Sequence, residues 1–332
     1  MRQRLFNRIS LSIAAALLAC DYRGARAQSG VIPGLEGGPE FLLPIGARGI
    51  GLGQAIAARG VGADALWWNP ALIARGPREV AFNVAQLANG SITADASSAI
   101  VWPVPRVGAF ALSVRYLNYG DFTATDKQTG AIIGSFQHTA VIVAGTFSAP
   151  FGDRFAGGLT LKLLELASPC TGSCDPTSSG EPRTAALDFG AQYFLTADSL
   201  ISVGASTLNI GLPLQVKDAP QADQLPSRVI FGAAVAPKFS QMPKGAHMHA
   251  EVDMIKALSS GGPGFLLGAE FAWMDQYAAR VGYQHDGPTS GVGPTFGLGF
   301  ATGKLHIDFS QMFTDANTGL GKPTFLSIRY VF

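Results

Sequence analysis

The chain ends in a segment whose side chains change character at every second residue. From Thr324 onward one set is mostly apolar and finishes on two aromatic residues, Tyr330 and Phe332. The set in between includes Ser327 and Arg329. A two-residue period places these sets on opposite faces of one β-strand. An apolar face beside a polar one, with aromatic residues at the rim, is typical of the closing strand of a transmembrane β-barrel.

The same alternation recurs along the chain after Pro77. It predicts about fourteen strands, each near the roughly 9–11 residues that a tilted strand needs to cross a bilayer. The predicted strands cover residues 79–87, 92–101, 107–117, 135–148, 154–166, 184–195, 199–208, 227–236, 247–255, 264–272, 277–285, 294–301, 304–312 and 323–332. Their connections alternate between mostly tight turns and longer loops, as in outer-membrane barrels, and an even strand count returns the C-terminus to the side of the turns.

The composition favours a membrane barrel over a soluble one. Charged residues make up only 14% of the chain and apolar residues 47%, whereas soluble domains carry roughly 25% charged residues. A soluble sandwich or barrel would also alternate, but its outer face would be densely charged. We therefore expect an all-β, antiparallel transmembrane barrel in outer-membrane lipid, closed so that no backbone amide lacks a partner. The net charge of +1 gives no reason to expect nucleic acid as a partner.

The N-terminus has the three parts of an export signal. Basic residues precede an apolar stretch over residues 9–19, and Ala25-Arg26-Ala27 forms a small-x-small cleavage site. We interpret residues 1–27 as a signal peptide that directs the chain to the outer membrane. The alternative is a lipoprotein signal that presents Cys20 for lipidation.

Two further cysteines, Cys170 and Cys174, lie close together in the sequence. An exported protein meets an oxidising compartment, so we expect them to form a disulfide that closes a small loop. The alternative is a metal site, for which two further ligands are lacking nearby. We expect neither a bound metal nor a cofactor.

Residues 28–77 lack the alternation, and we predict that they form a plug within or beneath the barrel of residues 78–332. Asn69 followed by Pro70 is a helix-start signal, because Asn caps a helix and Pro at the first position loses no hydrogen bond. A Gly-rich run covers residues 46–53. A dinucleotide-binding loop would need a βαβ unit after this run, which is missing. We expect instead that these glycines let the plug backbone pack tightly against the barrel wall.

The plug also carries a family resemblance. Its elements are Gly46-Ala47-Arg48, Gly51, Gly53-Gln54-Ala55, Asp64-Ala65 and Trp68-Asn69-Pro70-Ala71-Leu72. The pattern resembles the N-terminal signature of the PorV/PorQ family, which is itself similar to the FadL transporters and shares their Asn-Pro-Ala element. The chain departs from the pattern after Ala71, where a Gly often stands. The residues that we single out as the plug motif are Asp64, Trp67, Trp68, Asn69, Pro70 and Ala71.

The resemblance implies a FadL-like barrel of about fourteen strands in the outer membrane. PorV-type members of the family serve type IX secretion, in which they receive or shuttle exported cargo proteins. FadL-type members let hydrophobic small molecules diffuse across the membrane. Because the plug is short and the predicted loops are modest, we expect a non-enzymatic component of protein export that engages cargo or the secretion machinery. The alternative is passive transport of hydrophobic small molecules such as fatty acids and hydrocarbons.

The inward faces of the predicted strands carry charged residues of both signs. They are Arg115, Lys162, Asp188, Arg228, Glu251, Asp253, Glu270, Arg280, Asp308 and Arg329. Because the two signs are present in similar numbers, one interpretation is a network of ion pairs across the lumen. The other is a selective lining for a solute.

Other candidate residues carry weaker signals. His247 and His249 share a strand face with Glu251, as strand-end polar residues or as an incomplete metal site. No Ser–His–Asp set or carboxylate pair marks an active site, so we expect no enzyme. Trp67 and Trp68 lie in the plug, where they either pack or contact a lipid-like ligand.

Four aromatic residues fall near the predicted strand ends on the side of the turns. They are Trp102, Trp273, Tyr330 and Phe332. We interpret them as a belt at the membrane interface, where aromatic rings prefer to lie.

Overall fold

A computed structural model describes residues 36–60, 62–86, 94–126, 128–173, 181–215, 222–239, 242–259, 262–285, 291–313 and 322–332. The predicted signal peptide, Cys20 and Cys174 lie outside these residues. The strands are β1 Glu79–Gln86, β2 Ala94–Val104, β3 Gly108–Thr125, β4 Ile132–Phe151, β5 Phe155–Ala167, β6 Cys170–Gly172, β7 Arg183–Phe194, β8 Ile201–Gly211, β9 Arg228–Val235, β10 Ala246–Ala257, β11 Pro263–Trp273, β12 Tyr277–His285, β13 Gly293–Thr302, β14 Leu305–Met312 and β15 Thr324–Val331.

The fifteen strands belong to one sheet whose spatial order follows the chain. β1 pairs antiparallel with β15, and β3 pairs with both β2 and β4, so the sheet closes on itself. Only the short β6, which adds to β4, lies outside this circuit. The remaining fourteen strands form the predicted closed antiparallel barrel. Closure gives the backbone amides of every strand a partner, which lipid cannot supply.

The two faces of the wall differ as predicted from the closing strand. On β15, Phe325, Ser327 and Arg329 point inward and are 2%, 0% and 7% exposed. Their neighbours Ile328 and Tyr330 point outward and are 41% and 40% exposed. The outer face of the barrel is therefore apolar and uncovered, as a lipid-facing surface must be.

The predicted strand bounds agree with the structure to within three residues, except at the loop-side end of β3. This strand continues to Thr125, eight residues past the predicted end, and its partner β4 begins at Ile132, three residues before the predicted start. The register between them shifts between Asn118 and Asp121, where one strand has an extra residue. Such a bulge reverses the alternation of side chains, so the periodic pattern breaks before the strand ends. The three residues of β6, predicted as loop, are too few to show a period.

Residues 36–77, which we call the plug, form short helices and turns before β1. Three are 3-10 helices at Pro39–Leu42, Ala63–Trp67 and Pro70–Arg75, and one is the α-helix α1 at Ala47–Gly51. Asn69 caps the third 3-10 helix, since its Oδ1 accepts a hydrogen bond from the Ala71 N–H at 3.0 Å. No helix in the described part of the chain has the length and apolarity of a membrane-spanning helix.

Tight turns join β2 to β3, β4 to β5, β11 to β12 and β13 to β14. We call their side of the barrel the turn end and the opposite side the loop end. The C-terminus lies at the turn end, where the Arg78 guanidinium stacks 3.5 Å from the ring centre of Trp102 and 4.8 Å from that of Phe332. Trp102, Trp273 and Phe332 are all exposed on the outer face, which suits a membrane-interface belt.

An Arg in place of Leu298 tests whether the outer face meets lipid. Leu298 lies in the middle of β13 and is 49% exposed, and an Arg near the bilayer midplane costs roughly 2–4 kcal/mol of folding free energy. We expect Leu298→Arg to lose that amount in urea titrations of the protein folded into lipid vesicles, and Leu298→Ala to lose less. A Leu298→Arg variant as stable as the wild type would contradict a lipid-facing wall.

Candidate functional site

The plug backbone lies directly against the barrel wall, because the wall presents glycine where the two meet. These inward glycines lie on seven strands: Gly158, Gly190, Gly204, Gly232, Gly268, Gly282 and Gly297. A Cβ at Gly204 would lie 2.6 Å from the carbonyl carbon of Ala57, and one at Gly282 would lie 2.6 Å from the Cα of Gly53. Real side chains do not approach so closely, so these positions exclude every larger residue unless the plug moves.

Between the glycines of β9 and β11, strand β10 presents two carboxylates to the plug. Asp253 Oδ2 accepts hydrogen bonds from the backbone N–H groups of Ile56 at 3.0 Å and Ala57 at 2.9 Å. Glu251 Oε1 accepts from the next two, Ala58 at 2.5 Å and Arg59 at 3.3 Å. Residues 56–59 are not helical, so their N–H groups have no acceptor within a helix. The carboxylates of the wall act as the acceptors instead.

Hydroxyl and carboxylate groups of other strands serve the plug in the same way. Ser327 Oγ accepts from the Ala47 N–H at 2.7 Å, and Thr295 Oγ1 accepts from the Gly53 N–H at 3.0 Å. Glu79 accepts from the Ala63 N–H. The plug is thus attached to the wall through its main chain around much of the barrel.

Charges on the turn-end side of the plug form one connected chain of alternating sign. Glu270 pairs with Arg48 of the plug at 2.9 Å and with Arg280 at 2.5 Å. Arg280 pairs with Asp308 at 2.7 Å, and Asp308 lies 3.4 Å from Arg329. Each buried charge therefore faces an opposite one, which offsets the cost of removing it from water.

A second group of charges lies on the other side of the lumen. Arg115 pairs with Asp95 and also donates to the carbonyl oxygen of Leu43 in the plug at 2.7 Å. Lys162 pairs with Asp188 at 2.6 Å and donates to Asn209 Oδ1 at 2.9 Å.

The structure buries all ten charged residues that the sequence places in the lumen. Several of the ten pair with one another, but sequence reasoning missed Glu36, the partner of Arg228, and Arg48, the partner of Glu270, because both lie in the plug, which has no period. Two of the missed carboxylates could have been placed in the lumen from the alternation of their strands. Glu79 and Asp95 occupy the inward register of β1 and β2, at even spacing from the buried Ala81 and Ala99.

The plug motif lies at the centre of these contacts. Asn69 donates from Nδ2 to the carbonyl oxygens of Ala57 at 2.7 Å and Ala191 at 3.0 Å, so it ties two parts of the plug to β7. Pro70 and Ala71 pack against Gly158 of the wall. The acidic member of the motif, Asp64, accepts a hydrogen bond from Asn83 Nδ2 at 2.9 Å.

The two tryptophans of the motif border a small cavity on the loop-end side of the plug. Its volume is about 30 Å³, and most of its lining is apolar: Phe41, Leu42, Leu43, Ile45, Trp67, Trp68, Leu208, Asn209, Arg228, Ile230 and Ile255. The Lys162 ammonium lies 5.6 Å from the ring centre of Phe41 and 5.7 Å from that of Trp67. We call this space the aromatic cavity.

A larger space of about 630 Å³ opens at the turn end. It is lined in part by Arg48, Arg59, His247, His249 and Glu270. The glycine contacts and the β10 carboxylates separate it from the aromatic cavity. Within the described residues the middle of the plug therefore lies between a small cavity on the loop-end side and a larger space at the turn end.

Residues 36–43 cover the aromatic cavity, and we call them the strap. At one end Glu36 accepts two hydrogen bonds from Arg228, at 2.8 and 2.7 Å, and one from Ser259. Partial burial acts against ionisation, but these hydrogen bonds and the charge of Arg228 hold the pKa of Glu36 below its ordinary value. Further along the strap, Glu40 lies 3.3 Å from the Tyr119 hydroxyl and 3.5 Å from His138 Nε2.

The remaining candidates have simpler surroundings. His249 is buried with its Nδ1 3.4 Å from Glu270, whereas His247 is exposed. Among the described residues, no group of three or more potential ligands could hold a metal ion. Cys170 is disulfide-bonded, and Cys174 lies outside the described residues.

The fold is shared with known channel proteins. The P. putida toluene transporter TodX matches with a TM-score of 0.58 and 14% sequence identity, over 86% of this chain and 98% of that chain. A Pseudomonas aeruginosa FadL homologue matches with a TM-score of 0.51 and 12% identity, over 87% and 99%. No family's sequence profile and no curated protein matches the sequence. The likeness shows the fold, which is that of an outer-membrane barrel of the FadL type.

Gly204→Val tests the close contact between plug and wall. The added side chain collides with the Ala57 backbone, so we expect a loss of at least about 1–3 kcal/mol in the free energy of unfolding, with faster proteolysis within residues 36–77. The matched control is Gly145→Val, since a Cβ at Gly145 meets nothing within 4 Å. Equal stability and equal proteolysis of the two variants would show that the plug is not packed as described.

Asp253→Ala tests the hydrogen bonds to the plug main chain. It removes the acceptor of two buried N–H groups, each of which costs about 1–3 kcal/mol when left unpaired, so we expect a loss of about 2–6 kcal/mol in urea unfolding. Glu165→Ala is the control, because among the described residues the contact of the Glu165 side chain is an exposed ion pair with Arg183, worth about 0–1 kcal/mol. If the two variants lose the same stability, the carboxylate does not anchor the plug.

Proposed function

We propose that this protein is an outer-membrane channel through which uncharged hydrophobic small molecules cross passively. The observation that carries the proposal is the aromatic cavity, a mostly apolar space that borders the plug on the loop-end side of the lumen. The fold neighbours support it, since one is a toluene transporter and a related structure is of a monoaromatic hydrocarbon channel. Loops of such barrels face outward and turns face the periplasm, so the aromatic cavity lies on the outer side.

Channels for hydrophilic solutes keep a water-filled lumen. Here the described residues of the plug, with their ion pairs to the wall, occupy the middle of the barrel where such a water-filled channel would run. The binding surface that remains, Trp67, Trp68, Phe41 and their aliphatic neighbours, suits a ligand that buries apolar area. The positive charge of Lys162 beside two of these rings is neutralised by Asp188. The cavity therefore does not need an anionic ligand to balance that charge.

The aromatic cavity holds no more than a water or two in this state. A ring-sized ligand therefore requires the strap, and then the middle of the plug, to shift. The hollow at the turn end is large enough to receive such a ligand on the periplasmic side. Transport by this route is a series of plug movements rather than diffusion through an open pore.

Protein export, which the resemblance to PorV/PorQ implies, is the other candidate. It would use the loops and the mouth of the barrel to engage cargo or the secretion machinery. The geometry of the described residues adds no separate support for it. Export therefore remains the alternative that the following experiment decides.

Trp67→Ala should slow the uptake of labelled toluene by intact cells in which this protein is the only channel of its kind. Loss of one ring contact, about 0.5–1.5 kcal/mol, corresponds to a reduction of roughly two- to tenfold. Trp273→Ala is the control, because Trp273 lies on the outer face at the turn end. Uptake that is unchanged when the whole gene is deleted, with exported proteins accumulating in the periplasm, would refute transport and support export.

A further inference from the structure

The strap is held to the barrel firmly at both ends and weakly in between. At Glu36 there are two charge-assisted hydrogen bonds with Arg228, and the backbone N–H of Gly37 donates to the Gln224 carbonyl at 2.8 Å.

At the other end the Leu43 carbonyl oxygen accepts a hydrogen bond from Arg115 at 2.7 Å. Between the two ends, the side-chain contacts of Glu40 among the described residues are the 3.3 Å and 3.5 Å approaches of Tyr119 and His138. Hydrogen bonds from a charged guanidinium are much stronger than long neutral contacts. The strap is therefore weakest at Glu40.

The wall beside Glu40 carries aromatic residues that face the mouth of the barrel. His138 points at Glu40, and the alternation of β4 places Phe136 on the same face as His138 and the buried Ala140. Phe122 is the register partner of Phe136, and their rings stack with centres 5.2 Å apart at 17°. The bulge in β3 brings Phe122 to this face.

A series of aromatic pairs thus leads from the loop end towards the aromatic cavity. Phe122 and Phe136 come first, on the part of β3 and β4 that extends past the rest of the wall. Tyr119 and His138 follow, with ring centres 5.1 Å apart. Next along the strap is Phe41, whose ring lines the cavity.

Glu40 is an acidic group on this path, and it lacks a firm partner among the described residues. It is 3% exposed. Its Oε2 makes no hydrogen bond within the described residues. Tyr119 is neutral, and among the described residues only His138 stands within ion-pair distance of Glu40. Glu36 differs, because Arg228 compensates its charge.

We infer that ligands enter beneath the strap at Glu40, along the mouth-facing rings of β3 and β4, and that Glu40 excludes anionic molecules from this path. The inference rests on the proposed function and adds where the ligand enters and which class is rejected. An aromatic hydrocarbon stacks on the rings and passes the carboxylate without penalty. A carboxylate of the same ring size meets a like charge in a poorly solvated site, which lowers its rate of passage by about tenfold or more.

The experiment compares toluene with benzoate, which share a ring and differ in charge, in the intact cells described above. Glu40→Gln keeps an acceptor for Tyr119 and removes the charge. We expect it to raise benzoate uptake about tenfold while toluene uptake stays within twofold of the wild type. Glu165→Gln is the control, since it removes one exposed negative charge on the outside of the loop end.

A second pair of variants tests the rings. Phe122→Leu with Phe136→Leu should slow toluene uptake at least threefold. The control is Phe110→Leu with Phe147→Leu, a pair on the same two strands whose rings also touch, at 4.9 Å, but which lie exposed on the outer face. All variants are first checked for folding by their resistance to heat in detergent.

The outcomes separate the two proposals. Wild-type cells that take up toluene no faster than cells without the protein refute the proposed function itself. Where wild-type transport is present, either of two results overturns the inference alone. One is benzoate uptake by Glu40→Gln equal to that of Glu165→Gln, and the other is equal toluene uptake by the two phenylalanine pairs.

Discussion

The structure depends on one constraint: backbone N–H and C=O groups that are removed from water must find partners inside the protein. The strands meet it by closing into a barrel, in which β1 pairs with β15. The plug cannot meet it alone, because its helices are no longer than six residues. It is completed by the wall, where Asp253, Glu251 and Ser327 accept hydrogen bonds from plug N–H groups. Barrel and plug both have to satisfy their backbone hydrogen-bonding groups, and the plug can do so only inside the closed barrel, whose wall supplies its acceptors.

This arrangement explains the wall's unusual inner surface. Glycines let the plug main chain come close enough for hydrogen bonding, and carboxylates and hydroxyls are the acceptors. The arginines that remain, Arg280 and Arg329 among them, balance the carboxylates of neighbouring strands. The inner surface of the wall is thus built to hold a polypeptide rather than to conduct water. Under the proposed function that polypeptide has to move. The strap is the part proposed to open, because it is held firmly at Glu36 and Leu43 but weakly at Glu40 between them.

Much of the fold could be predicted from the sequence, because alternation is a local signal that each strand carries by itself. Alternation predicted the barrel strands and the inward direction of residues such as Arg115 and Asp308. The helix start at Asn69 came from a different local signal, the Asn-Pro pair. Alternation failed where a local period does not exist. The bulge after Asn118 reverses the alternation, which hid the outer part of β3. The contacts of the plug join residues far apart in sequence, such as Ala47 and Ser327, and no pattern within a segment predicts such pairs.

The central claim is that the plug closes the lumen by main-chain contact with the wall. The conductance of the protein in planar lipid bilayers tests it most directly. The account predicts no steady ionic current through the wild type, and a stable current once residues 36–77 are deleted from a barrel that still resists heat in detergent. A wild-type protein that conducts as well as the deletion variant would show that the lumen is open, and the account would be wrong.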